Sequence, residues 1–331
     1  MLGGRSSRNF EMHPRNHATS VVETQRVLDL DKGVFMVSVD LELAWGFNYE
    51  LLLGSRTAEK YLKIIRERSR RNVKRLLDLA EKFNIPFTWG VVGHLFLSSC
   101  DRSDNGCPHC DMPRPKLNVR KDWYANDPCS NLDREPLWYA TDLIKQILES
   151  KVEHDIACHS FSHVDFSKCS REVALSEVRK CKEVMKKYCV DPKSFIFPKN
   201  RVGHLNVLKQ EGFKTFRIKM NHTSNSLIDL ALETLFPTVG VPIQVNGLLG
   251  IPSSLLFQSS HNIHTLRLLI SARRGIERAV NEKRIFHIIM HDYIETNYLL
   301  KALSKLLSYA VKLRDKEKLD IVSMVELYEK I

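Results

Sequence analysis

The chain has 331 residues, 43% of them hydrophobic, which is ample material for a sizeable buried core. Length alone would suggest about two domains, yet α/β barrels routinely run this long as one. The net charge of +11 predicts a basic surface, and no stretch reaches the roughly 18 apolar residues that a membrane helix needs.

The first 30 residues mix Arg, Asn, His and Glu with scattered apolar positions. They contain no continuous apolar run of the kind a secretory signal requires. Residues 1–30 are therefore expected to form a mobile extension or an irregular cap on a single domain over 31–331. Eight cysteines with no export signal predict reduced thiols and a cytoplasmic chain.

Gly33-Val-Phe-Met-Val-Ser-Val-Asp40 reads as a strand ending in a carboxylate. Leu62, Ile65, Val73, Leu76, Ala80 and Phe83 then recur at helical spacing, predicting a helix over 57–83. Nine basic and two acidic side chains lie between Arg56 and Arg75, which reads as a solvated helix face. Tyr61 is the one aromatic among them, so no nucleic-acid partner is expected. Residues 86–92 form the next strand. Residues 98–136 are polar, rich in Pro, Cys, Asp and Asn, and aperiodic, an insertion too long for an ordinary barrel loop.

A helix is expected at 136–150, a strand at 152–158, and a helix at 170–188 capped by Ser170. A strand at 194–198, a short helix at 204–212 closed by Gly212 and a strand at 214–218 follow. Residues 220–260 are ambiguous, with Gly247 to Pro252 a candidate strand end. Helix 262–282, strand 284–290, helix 296–314, strand 320–322 and a final helix complete the chain. Seven or eight strands, most followed by a helix, indicate a parallel α/β fold. In α/β barrels the chemistry sits where strands end.

Polar residues collect at those strand ends. Ser38-Val-Asp40-Leu-Glu42 is a carboxylate pair, and His159-Ser-Phe-Ser-His163 places two imidazoles four residues apart. On a helical turn such a pair faces one way and can share a metal ion if a third ligand arrives from elsewhere. A buried acid at a strand end is costly unless it is paired or metal-bound. Two more strands end in Phe197-Pro-Lys199-Asn-Arg201-Val-Gly203-His204 and in Phe286-His287-Ile-Ile-Met290-His291-Asp292.

These motifs resemble those of the NodB-homology polysaccharide deacetylases, the carbohydrate esterase family 4 type. The family's first motif is typically Thr-Phe-Asp-Asp-Gly, and Asp40-Leu-Glu42 is similar to a variant Asp-x-Glu form. His159-Ser-Phe-Ser-His163 looks like the family's His-Thr-x-x-His. Lys199-Asn-Arg201-Val-Gly203 takes the place of Arg-x-Pro-Tyr-Gly, and Ile289-Met-His291 that of Leu-x-His. The resemblance spans roughly residues 33–325 and implies a distorted (β/α) barrel of seven or eight parallel strands. It implies Asp40 as general base and Glu42, His159 and His163 as ligands of one divalent metal ion, with the roles of Asp40 and Glu42 exchangeable. Zinc is the expected ion, with cobalt, nickel or manganese as alternatives. Lys199 or Arg201 would hold the catalytic carboxylate, and His291 would protonate the departing amine.

The implied activity is removal of an N-acetyl or similar acyl group from a sugar or glycoconjugate precursor, which the basic charge would suit if anionic. The alternatives are hydrolysis of a small non-sugar amide, as in allantoinase-like relatives, and a catalytically silent sugar-binding module. Trp45, Tyr49 and Trp89 are candidates to stack on a sugar or simply to pack the barrel rim. Cys107-Pro-His-Cys110 is half of a possible structural zinc site, with free thiols as the alternative.

Overall fold

The computed structural model of the chain describes residues 26–116, 121–219, 232–259, 261–293 and 296–331. Most of the 1–30 extension thus lies outside the described residues. Its last part forms β1 (Arg26–Val27), which pairs antiparallel with β7 (Ile243–Val245).

The central strand is β2 (Gly33–Leu41), buried at every position, as a near-continuous apolar run in a parallel sheet covered on both faces should be. On one side of it run, in order and all parallel, β3 (Thr88–Val91), β4 (Asp155–Cys158), β5 (Ser194–Phe195), β6 (Thr215–Lys219) and β8 (Leu248–Ser253). On the other side β10 (Ile285–His291) pairs with β2 through seven residues, and β9 (Leu255–Leu256) pairs with β10. Only Ser254 separates β8 from β9, so one run of chain bonds to β6 at its start and to β10 at its end. The Ser254 N–H donates to the carbonyl of His287 at 2.7 Å, and its hydroxyl accepts from the His287 N–H at 3.1 Å. The sheet therefore closes into a distorted barrel, as expected. A short strand, β11 (Leu319–Ile321), lies beside the first residues of β2.

The helices cover the outside. In α2 (Arg56–Phe83), the residues Ala58, Ile65, Val73, Leu76, Leu77 and Ala80 are buried, Ser55 caps the N-terminus, and Asn84 ends the helix in the left-handed region. In α6 (Asn262–Glu282), a methyl group at Gly275 would run into the Phe286 ring, so this glycine lets the helix backbone lie close on β10. Among the described residues, no helix is long and apolar enough to cross a membrane.

Two regions differ from the reading of the sequence. Within 220–260, β7 and β8 form an antiparallel hairpin turned at Asn246-Gly247, where φ is 54° and 78°. Positive φ at both central residues is the type I′ requirement that Asn-Gly meets. The insertion at 98–136 holds no named strand or helix among its described residues, and it packs on the barrel through buried Trp123 and Tyr124. Within it Cys107 and Cys110 form a disulfide, their Cα atoms 5.7 Å apart, so these two thiols are not free. That separation lies inside the range a disulfide can span.

At the opposite end from the strand-end residues, the N-terminus of α8 (Met324–Lys330) docks on Asp155. Its Oδ2 accepts from the Thr88 hydroxyl at 3.2 Å, the Ser194 hydroxyl at 2.6 Å and the Val325 N–H at 3.2 Å. Burial still pushes its pKa up, from 3.8 to about 6. The folded chain therefore binds the extra proton between those values, and the group's contribution to stability is lost as pH rises through that window. Asp155→Asn should remove this dependence. Relative to wild type, the variant is expected to gain about 2–3 kcal/mol between about pH 4 and pH 7, measured by urea unfolding at both pH values.

Candidate active site

Asp40 sits at the mouth end of β2, almost wholly buried. It meets Arg217 of β6 in a two-pronged pair: Nη1 donates to Oδ1 at 2.7 Å and Nη2 to Oδ2 at 2.6 Å. Arg217 is fully buried as well. Its Nη1 also donates to the Ser38 hydroxyl at 2.9 Å and its Nε to Asn200 Oδ1 at 2.9 Å. Ser38 in turn lies 2.9 Å from His287 Nε2. Burial raises the pKa of Asp40, but the charge and fork of Arg217 more than offset it, leaving the carboxyl below its ordinary value.

Two residues further on, past the end of the strand, Glu42 faces both histidines. Its Oε1 lies 3.0 Å from His159 Nε2 and 3.1 Å from His163 Nε2. His159 Nδ1 lies 2.6 Å from the carbonyl of Ile196. A carbonyl only accepts, so Nδ1 donates there and Nε2 is the nitrogen turned to the glutamate. Two imidazole nitrogens and a carboxylate oxygen gathered at one point could hold a metal ion, with the Ile196 carbonyl fixing the ring as outer-shell partners do. Burial pushes the Glu42 pKa up, yet the facing His163 and His159 bring it well below the ordinary glutamate range.

The loop carrying the two histidines is not the helical turn their spacing suggested. Ser160 and His163 have φ of 59° and 62°, strained for non-glycine residues. Buried Glu177 of α4 (Arg171–Lys186) holds the loop, accepting from the Ser162 N–H at 2.7 Å and its hydroxyl at 2.6 Å. From the insertion, Trp123 Nε1 donates to the Ser162 hydroxyl at 2.8 Å and the Tyr124 hydroxyl to Glu177 at 3.2 Å.

His291 ends β10 in register with Asp40. One ligand atom each from Asp40, Glu42 and His291 lie within 4.8 Å of one another. Asp292 is fully buried. It accepts from the Glu42 N–H at 3.3 Å, and burial pushes its pKa to about 6.

Lys199 and Arg201 do not reach Asp40. Lys199 donates to Glu50 at 2.8 Å and lies over the Tyr49 ring, while Arg201 donates to Asp165 at 2.6 Å. The motif contributes Asn200 instead, delivered to Arg217 by left-handed backbone at Lys199 and Asn200. Arg217 had a sequence signal that went unused: Thr215-Phe-Arg217-Ile-Lys219 sets a cation in mid-strand, where burial demands an acid. Trp45 and Trp89 are fully buried core residues. Tyr49 remains at a cleft beside His163, together with Trp123, Lys168, Lys199 and Arg201.

Residues 64–215 match the family model for polysaccharide deacetylase, a span that includes the His159–His163 pair. Over that span, somewhat under half of its length, the chain is a homologue of the polysaccharide deacetylases, the family its motifs resemble. No curated protein matches this homologue significantly. Among solved structures it resembles a protein from Mycobacterium smegmatis named as a polysaccharide deacetylase, at TM-score 0.60 and 13% identity over 93% of this chain and 95% of that one. A Pseudomonas aeruginosa PAO1 protein of the same name gives 0.55 and 13% over 90% of each chain. The PuuE allantoinase gives 0.56 and 14%, again over 90% of each. At these identities the likeness is one of fold.

Removing Arg217 strands a buried carboxylate. Arg217→Ala is expected to destabilise the homologue by about 3–5 kcal/mol in urea unfolding, and Arg217→Lys, which keeps the charge without the fork, by less. Lys199→Ala and Arg201→Ala should each cost about 1 kcal/mol or less, as partly exposed pairs do. Equal losses in all three positions would show that the fork has no special weight.

Proposed function

We propose that this homologue is a metal-dependent hydrolase removing an N-acetyl or similar acyl group from a sugar or glycoconjugate precursor. The observation that carries this is the convergence of His159 Nε2 and His163 Nε2 on one oxygen of Glu42, at 3.0 and 3.1 Å. Two imidazole nitrogens and one carboxylate are the three protein ligands of many catalytic zinc sites, with a fourth position open. Cobalt, nickel and manganese are alternatives for the same donors. When bound, the ion supplies an acidified water and polarises the acyl oxygen.

The chain's own groups divide the remaining work. Asp40, kept ionised by Arg217, accepts the proton of the attacking water. The same fork that keeps Asp40 charged also fixes its plane. His291 delivers a proton to the departing nitrogen. Asn200 and Ser38 hold Arg217 and so act on the base at one remove. The cleft beside His163, of about 40 Å³, brings the Tyr49 and Trp123 rings near Lys168, Lys199, Arg201 and Asp165, room for an anionic substituent of a sugar rather than for the whole ring. Lys199 and Arg201 are already paired with Glu50 and Asp165, so Lys168 is the cation with most to offer an anion.

One observation favours a second reading. With Trp45 and Trp89 in the core, fewer aromatic faces remain for a saccharide, and a small non-sugar amide of the allantoinase kind becomes the competing substrate.

Acetate release from a panel of acetylated sugars, run beside hydrolysis of allantoin, separates the two readings. His159→Ala/His163→Ala is expected to lose one metal equivalent and all turnover, and chelation should abolish wild-type activity until metal is restored. Full activity after either treatment overturns the metal mechanism. His291→Ala should keep its metal content while kcat falls by about 10²–10⁴; unchanged kcat removes His291 from the acid role.

A further inference from the structure

A second set of donors lies beside the active site and takes no part in it. His94 comes from the turn after β3, and Cys100, His109 and Asp127 come from the insertion; one ligand atom of each falls within 4.8 Å of the others. His94 Nε2, His109 Nε2 and Asp127 Oδ2 form a triangle with edges of 3.1, 3.0 and 2.8 Å. Cys100 Sγ lies 3.5 Å from the same oxygen. Around a tetrahedral zinc with bonds of about 2.0 Å to nitrogen or oxygen and about 2.3 Å to sulfur, donors sit about 3.3–3.5 Å apart. Four of the six edges are thus close to those of such a site, and the other two, from Cys100 to the histidines, lie within 4.8 Å.

Protons alone satisfy the triangle poorly. His94 Nδ1 lies 3.2 Å from the carbonyl of Trp138, which can only accept, so the neutral ring carries its proton there. Its Nε2 lone pair then points at the Asp127 carboxylate. Protonating that nitrogen would make a cation of a fully buried ring. A divalent ion removes the conflict, because every group then offers a lone pair to one centre. The surrounding partners already orient the donors in the way outer shells do. Asp127 Oδ1 accepts from the Cys129 N–H at 2.9 Å and the Tyr139 hydroxyl at 3.4 Å, leaving Oδ2 for the cluster. The His94 and Asp127 side chains are fully buried, and His109 is 8% exposed.

We propose that His94, Cys100, His109 and Asp127 bind a second divalent ion, zinc by their donor set, which pins the 98–136 insertion to the loop that carries His159 and His163. Four protein ligands close the site, which makes it structural rather than catalytic. The link to the loop is direct. The His94 N–H donates to the Phe161 carbonyl at 2.8 Å, and the Phe161 ring lies 5.5 Å from that of His94 and 5.3 Å from that of His109. Phe161 stands between the two histidines of the active site, so the ion would brace them from behind. The Cys107–Cys110 pair, bonded to itself, is not part of this cluster.

The site is tested on the full chain, purified without chelator, by elemental analysis and cobalt exchange. Two metal equivalents per chain are expected, with His159→Ala/His163→Ala losing one and Cys100→Ser or His109→Ala losing the other. Cobalt-loaded wild type should show a near-ultraviolet sulfur-to-cobalt charge-transfer band that persists in His159→Ala/His163→Ala and vanishes in Cys100→Ser. If the variants fail to fold, the wild-type spectrum still decides, because none of Glu42, His159 and His163 has a sulfur donor. A cobalt-loaded wild type without that band overturns the proposal, as does a band that survives in folded Cys100→Ser. A wild type holding one equivalent, lost only with the His159 and His163 substitutions, overturns it too and leaves a hydrogen-bonded cluster without an ion.

Discussion

The fork between Asp40 and Arg217 is the constraint on which the rest depends. Two opposite charges lie wholly inside the barrel, and removing them from water costs several kcal/mol per ion before any attraction is counted. The structure offsets that cost by satisfying the guanidinium in three directions, on Asp40, Ser38 and Asn200. Asp40 and Ser38 come from β2 and Asn200 from the turn after β5. The strand end that bears Asp40, the turn that bears Asn200 and the strand that bears Arg217 must therefore share one geometry. The barrel's shape at this end follows from that agreement as much as from its apolar packing.

A similar economy governs the neighbouring histidine loop. Its left-handed residues at Ser160 and His163 are unfavourable on their own, and Glu177, Trp123 and Tyr124 hold them in place. The insertion is thus a support for the site as well as a decoration of the rim. Its irregular backbone is tolerable because buried aromatic side chains and specific polar contacts replace the ladder of a sheet.

Much of the fold was legible because it rests on periodicity. Helix 262–282 follows directly from its apolar spacing, and the alternation of strands and helices pointed to the parallel sheet. The hairpin at Asn246-Gly247 went unread although its dipeptide is a strong turn signal, because strands this short carry no usable period. At the site, the residues that sequence spacing groups were the ones it found: Asp40 with Glu42, and His159 with His163. Arg217 was missed because the fork joins residues 177 positions apart, and no local spacing reports such a pairing. Lys199 and Arg201 drew attention by lying next to the right loop. Their actual partners, Glu50 and Asp165, are set by tertiary position alone. His94 and Asp127 were invisible for the same reason, one in a barrel turn and the other in an aperiodic segment.

The closing of the barrel between β2 and β10 has a bearing on the order in which the molecule is made. Strand β2 leaves the ribosome first among the staves, yet β10, which flanks it, follows some 250 residues later, as the contact between Glu42 and Asp292 records. Contacts of such sequence separation form late, since the intervening chain must first be drawn together. Glu42, His159 and His163 are all present once about half the chain has been synthesised, whereas Arg217 and His291 are not. A growing chain could gather the three side chains proposed to hold the metal while Asp40 still lacks its cation and the sheet remains open. Binding competence would then precede catalytic competence during synthesis.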